Sequence, residues 1–233
     1  MAQIFHPSIN TLTRAGIITA LTVGASLCAA WYGVNLHYGQ KLYVPIVQPV
    51  QFSHKHHSGD DGIDCRYCHT SVEKSAYAGM PATHTCMSCH SQIWSDSAEL
   101  APVRASYVSG QPIQWNKVHD MPDFVYFNHA MHIKKGVGCE SCHGNMSETP
   151  LAQKVNTMTM TWCLNCHRHP ENYLRPRSAI YTTGWKAADA GKILSPETGK
   201  PYPTNQKELG AQLVKEYKVL HQRQLTDCYT CHH

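Results

Sequence analysis

Aromatic side chains are scarce in this 233-residue sequence, at 9% overall with only four phenylalanines. A chain so poor in large rings cannot close a core in the usual way, by packing Phe and Trp between secondary elements. Strand signals are weak throughout, which argues against a substantial sheet. Charged residues are also sparse, at 15%, and Lys and Arg are dispersed singly rather than in a run. The formal charge of +4 therefore does not describe a nucleic-acid or anionic-membrane surface. What the chain has in abundance is histidine, 17 residues, and cysteine, 11 residues.

Ten of those cysteines fall into one pattern, Cys-x-x-Cys-His, repeated five times. The pairs are Cys65 and Cys68 before His69, Cys86 and Cys89 before His90, Cys139 and Cys142 before His143, Cys163 and Cys166 before His167, and Cys228 and Cys231 before His232. In this motif two thiols add across the vinyl groups of a haem, and the adjoining imidazole reaches the iron from one side. A disulfide framework would not explain a His after every second Cys, and neither would a zinc ribbon. Five covalently attached haem c groups are therefore expected, with His69, His90, His143, His167 and His232 as proximal ligands.

Five haems over the part of the chain beyond the N-terminal segment leave roughly forty residues per cofactor, too few to build an aliphatic core first and add porphyrins later. The porphyrins must supply much of the buried apolar surface. Two propionates per haem bring about ten negative charges, so the loaded protein should be near neutral or acidic. The expected fold is mainly α-helical and irregular, with little sheet.

The only long uncharged stretch runs from Ala15 to Gln40. Its apolar centre is about twenty residues long and can cross a bilayer as a helix, with Trp31, Tyr32 and Tyr38 as an interfacial belt. The run is long for a signal peptide and lacks a good small-x-small cleavage site, so a retained anchor is expected. Cys28 within it reads as an inert packing residue. Arg14 before the span and Lys41 and Lys55 after it leave the positive-inside count undecided. Haem c is attached outside the cytoplasm, which orients the segment: a cytoplasmic N-terminus and a periplasmic or extracytoplasmic haem domain on the inner membrane.

Two stretches repeat at a separation of about 75 residues. Phe52-Ser53-His54-Lys55-His56-His57 precedes Cys65, and Phe127-Asn128-His129-Ala130-Met131-His132 precedes Cys139. Each F-x-H-x-x-H is followed by two CxxCH motifs, and the second unit gains a third at Cys228. Histidines three apart on a helical turn share a face, so each turn can send two imidazoles to two neighbouring irons. His54, His57, His129 and His132 are the leading candidates for distal ligands, and His119 is the best fifth. His56, His84 and His221 form a second tier. Met160, just ahead of Trp162-Cys163, is a possible distal thioether, which would raise that haem's potential; Met158 and Met80 follow it. Irons closed by two strong axial ligands carry electrons but have no place for a substrate.

The expected organisation is a short cytoplasmic N-terminus (1–14), a transmembrane helix (15–38), a first unit of two haems (39–94), a connection (95–118) that reads as exposed over 95–113, and a second unit of three haems (119–233). Residues 168–204 look irregular. Asn205 with Glu208 resembles a capping box, with Leu209, Leu213, Tyr217 and Leu220 at helical spacing behind it. That pattern predicts a helix ending just before Cys228 and packing on a haem.

With the anchor, duplicated units and five motifs assembled, the chain resembles the membrane-anchored pentahaem cytochrome c subunit of alternative complex III, a quinol:acceptor oxidoreductase. The resemblance is carried most specifically by Gln51-Phe52-Ser53-His54, Gly62-Ile63-Asp64-Cys65-Arg66-Tyr67-Cys68-His69, Val125-Tyr126-Phe127-Asn128-His129 and Trp162-Cys163-Leu164-Asn165-Cys166-His167-Arg168. The haem units are also similar to class III cytochromes of the c3/c7 type. The resemblance implies a non-catalytic electron-transfer subunit. Its partners would be integral membrane quinol-oxidising subunits, an iron–sulfur subunit related to molybdopterin enzymes, a monohaem cytochrome c subunit and a terminal oxidase. A stand-alone membrane-anchored multihaem quinol dehydrogenase is the alternative. A catalytic multihaem reductase would need a Cys-x-x-Cys-Lys site, and all five motifs here end in His.

Overall fold

The computed structural model describes residues 5–35 and 40–233. It divides into two compact units, Met1–Leu42 and Tyr43–His233. The first is dominated by helix α1, Ser8–Gly33. Its 26 residues are long and apolar enough to cross a membrane, spanning about 39 Å at 1.5 Å per residue. The helix begins seven residues before the expected start at Ala15 and takes in Arg14. Tyr38, read as part of the interfacial belt and as the end of the expected span, lies outside the described residues.

The second unit is built from short helices joined by turns: α2 (Cys65–Cys68), α3 (Thr83–His90), α4 (Ala101–Ser109), α5 (His129–Lys134), α6 (Glu140–His143), α7 (Met160–Arg168), α8 (Gln206–Glu216) and α9 (Gln222–Leu225). The described residues contain no strand, and β pairing is confined to isolated bridges such as Val137 with Leu174 and Leu194 with Pro201. Each CxxCH coils into a helical turn, and side-chain caps fix where several of the turns begin. Asp64 accepts from the Arg66 amide at 2.8 Å ahead of α2. Asp227 accepts from the Tyr229 amide at 2.9 Å ahead of the 3₁₀ turn Cys228–Thr230. Asn128 does the same for α5 through Met131.

The polypeptide's own apolar core is small and displaced toward the C-terminal half. Leu174, Ala190, Tyr202, Leu209, Leu213 and Tyr217 form it, with Val137, Trp185 and Ile193 packed against them. Apart from Arg168, which ends α7, the irregular stretch 168–204 contains no α-helix or strand, yet it supplies half of this cluster. Helix α8 lies so close to the turn at Pro170–Asn172 that a Cβ at Gly210 would collide with the Glu171 carbonyl. Its N-terminus is capped by Asn205, whose side chain accepts from Lys207 and Glu208.

Two sequence expectations are corrected here. Helix α8 stops at Glu216, well short of Cys228, because Lys218 takes a left-handed φ of 49°. A separate turn, α9, follows, Leu220 is exposed, and α8 packs on the aliphatic cluster. The connection after the first unit is also not simply exposed. Pro102 starts α4, which buries Val103 and Ser106 against α3 and holds Thr83 by a 2.6 Å hydroxyl contact.

Candidate haem-binding site

The duplication read from the sequence is reproduced in side-chain geometry. Phe52 stacks on His57 at 4.4 Å and 26° and meets His54 edge-on at 4.9 Å and 88°. Phe127 stacks on His132 at 4.4 Å and 25° and meets His129 at 4.8 Å and 87°. Two of the four phenylalanines are therefore spent orienting these imidazoles. The two turns differ in winding: Lys55–Asp60 is π-helical, whereas α5 is α-helical.

The units interlock through equivalent backbone bonds. The Lys55 amide donates to the Thr149 carbonyl at 3.0 Å, and its counterpart Ala130 donates to the Ser75 carbonyl at 3.2 Å. Each F-x-H-x-x-H turn is thereby docked on the segment following the first CxxCH of the other unit. Cys65 and Cys139 are the equivalent first cysteines, and the neighbouring Cys65 thiol, then burial, raise the Cys139 thiol well above its usual range. Burial also pushes Cys142 up to about 12 and Cys166 up to about 11.

Seven histidines have Nδ1 against a backbone carbonyl. They are His57 with Ser53 (2.9 Å), His69 with Gly79 (2.7 Å), His90 with Ile93 (3.0 Å), His129 with Ala76 (2.8 Å), His132 with Asn128 (2.7 Å), His167 with Leu225 (2.8 Å) and His232 with Phe124 (2.7 Å). A carbonyl only accepts, so Nδ1 carries the hydrogen and Nε2 keeps its lone pair for a metal. Four of the five motif histidines and three of the four repeat histidines are in this state.

Three pairs of these rings face each other at a telling distance. His57 and His90 have centroids 6.1 Å apart, His132 and His167 6.2 Å, and His129 and His143 6.5 Å. An imidazole nitrogen sits about 2 Å from a bound metal, and with about 1.1 Å from nitrogen to ring centre, two rings on opposite sides of one ion are about 6 Å apart. Among the described residues, no three His, Cys, Asp or Glu converge to hold a bare ion. The donor set thus fits a planar macrocycle with two axial nitrogens and does not form a zinc ribbon.

His54 has Nδ1 buried without a partner. Burial, and next the neighbouring His69, lower its pKa to about 4. His119, taken from sequence as a fifth distal ligand, is seated against His143 at 4.4 Å and 77°, too close for an ion between them. Its Nε2 is likewise buried without a partner, and burial lowers its pKa to about 4. Burial and the adjacent His119 lower His143 to about 3. This crowding keeps the rings neutral, the form that binds a metal. Met160 is exposed at the start of α7, one turn ahead of its own Cys163. Of the second tier, His56 pairs with Asp60 and Asp61, His221 caps α9, and His84 is exposed.

Over 180 aligned residues the chain is 32% identical to the "Menaquinone reductase, multiheme cytochrome c subunit" of Nitratidesulfovibrio vulgaris, covering 68% of this chain and 80% of that protein. The chain belongs to the multihaem cytochromes c. This family membership makes covalent haem c the group that the CxxCH turns and facing imidazoles fit. No family model matches the sequence. What sequence reasoning missed in this cytochrome is the ring of carbonyls behind the histidines. Only those at Ser53 and Asn128 are close in sequence to their imidazole and common to both repeats; the rest come from loops as far as 108 residues away.

Proposed function

We propose that the chain is the pentahaem electron-transfer subunit of a membrane respiratory complex of the alternative complex III type. Each CxxCH would hold one haem c by its two cysteines and its following histidine. Distal nitrogens would come from His54 opposite His69, His57 opposite His90, His129 opposite His143 and His132 opposite His167. Helix α1 would anchor the subunit in the inner membrane, N-terminus in the cytoplasm and haem domain outside. Partners would be polytopic quinol-oxidising subunits, an iron–sulfur subunit, and a monohaem cytochrome c or terminal oxidase.

Haem iron, when bound, supplies one-electron exchange without bond making. The residues would do the rest: paired imidazoles would hold each haem iron and leave it no place for a substrate, and the carbonyls behind His57, His69, His90, His129, His132 and His167 fix those rings in one tautomer. The observation that carries this reading is the recurrence of facing imidazoles at 6.1, 6.2 and 6.5 Å beside CxxCH turns. It supports a conduit over a catalyst.

The N. vulgaris relative is named as part of a menaquinone reductase, which favours a second reading in which electrons run toward the quinone pool. Purifying the native complex from membranes, identifying its subunits and assaying both directions with a quinol analogue tests both. Polytopic and iron–sulfur partners with net quinol oxidation support the first reading; net quinone reduction supports the second. Isolation of the chain alone, oxidising quinol unaided, overturns both in favour of a stand-alone dehydrogenase.

A further inference from the structure

The attachment motifs contact one another in sequence of space rather than of chain, and the contacts form a line. The second motif touches the first, through Tyr67 and Ser88, whose hydroxyls meet at 2.9 Å. The first meets the third across the loop at Ile180, whose carbonyl accepts from the Cys139 amide at 3.4 Å. Beside that contact, the Arg66 guanidinium lies 4.4 Å over the Tyr181 ring, whose hydroxyl donates to Glu73 at 2.8 Å. The third is tied to the segment leading into the fourth by Asn156, whose amide donates to the Ser141 and Cys142 carbonyls at 3.3 and 3.0 Å. The fourth meets the approach to the fifth where His167 donates to the Leu225 carbonyl at 2.8 Å.

Exposure agrees with the line. Of the ten motif cysteines only Cys89, in the second motif, and Cys228, in the fifth, are exposed; the other eight are half-buried. A branched or ring-like cluster would not leave its two exposed cysteines at the two ends of the contact order. The equivalent backbone bonds at Lys55 and Ala130 put an approximate two-fold axis between the first and third motifs. The third haem site of the second unit then extends one arm of an otherwise symmetric four-site array.

We infer that the attachment sites form one unbranched path in the order second, first, third, fourth, fifth, with the second and fifth sites as its two exposed termini. The inference rests on the five-haem reading above. It assigns the partners' contact points. One terminus takes one electron at a time from a reduced metal centre of a neighbouring subunit, and the other gives one to an oxidised haem or metal centre. No proton or covalent bond changes place. Only the fifth site is an end both of the path and of the polypeptide order; the chain begins its haem sites one step inside the line, at Cys65.

A cryo-EM map of the native haem-loaded complex reads the order directly. The expected result is nearest-neighbour iron pairs second–first, first–third, third–fourth and fourth–fifth, with one neighbour each for the second and fifth. An iron of the second motif next to the third or fourth, or of the fifth next to the first or second, overturns the inference. Fewer than five irons would instead overturn the haem count. In solution, Cys86→Ser with Cys89→Ser should alter the EPR signal and potential of one remaining haem. Cys139→Ser with Cys142→Ser should alter two, and equal effects of the two pairs would contradict the order.

Discussion

Replacing His132 with Ala isolates the role of one repeat histidine. Its ring faces His167 at 6.2 Å, is tied through Nδ1 to the Asn128 carbonyl at 2.7 Å, and stacks on Phe127 at 4.4 Å. If His132 closes the iron at the fourth motif, the variant leaves that iron with one axial nitrogen. One of five low-spin haems, a fifth of the low-spin EPR intensity of the oxidised protein, is then lost, and a high-spin signal of equal spin count replaces it. The structural cost is modest. The lost ring contact with Phe127 is worth about 0.5–1.5 kcal/mol, too little to unfold a domain, so the other signals persist. His132→Met keeps a strong sixth ligand and should restore the low-spin state at a raised potential. His56→Ala, one residue from a repeat ligand but pointed at Asp60 and Asp61, should change no haem signal. Full low-spin intensity in His132→Ala, or loss from a haem other than that at Cys163, would refute the pairing.

Three further outcomes are expected. Leu213→Ala empties a fully buried position in the C-terminal cluster and should lower stability by about 2–5 kcal/mol, seen as a lower denaturation midpoint with unchanged haem spectra at the first two motifs. Glu140→Ala removes the partner of Arg175, an ion pair only 15% and 7% exposed. It should cost about 3 kcal/mol, the low end for a buried pair because the guanidinium keeps the Ala179 and Thr182 carbonyls; Glu140→Gln, which retains an acceptor for the Gly184 amide, should recover part of it. Replacing residues 1–35 with a cleavable export signal should yield a haem-loaded protein in the soluble fraction, since the unit beginning at Tyr43 is compact by itself; haem staining of membrane and soluble fractions reads this.

The candidate attachment motifs were legible because covalent haem attachment, where it occurs, writes itself into local sequence. Cys65-x-x-Cys68-His69 and its four counterparts need no tertiary context, and F-x-H-x-x-H repeats with its phenylalanine because the ring that orients His57 is only five residues away. Long-range partners were not legible. Nothing in Ala76, Phe124 or Leu225 marks it as the carbonyl behind a histidine, since every residue has one. His119 could be singled out but not located, and only the fold puts it beside His143. Helix α4 was missed because Ser, Val and Tyr are weak helix formers, although Pro102 in its first turn is a start signal. The end of α8 was overshot because Leu220 continues the apolar spacing, and the left-handed Lys218 carries no glycine to announce the break.

The central claim is that all five CxxCH motifs carry haem. Intact-mass measurement of the protein purified from its native membrane, over the 26.1 kDa polypeptide, tests it most directly. The account predicts an increment of five covalent haems, with peptide mapping placing one on each cysteine pair from Cys65–Cys68 to Cys228–Cys231. A smaller increment, or a motif whose two cysteines are recovered unmodified, would contradict it.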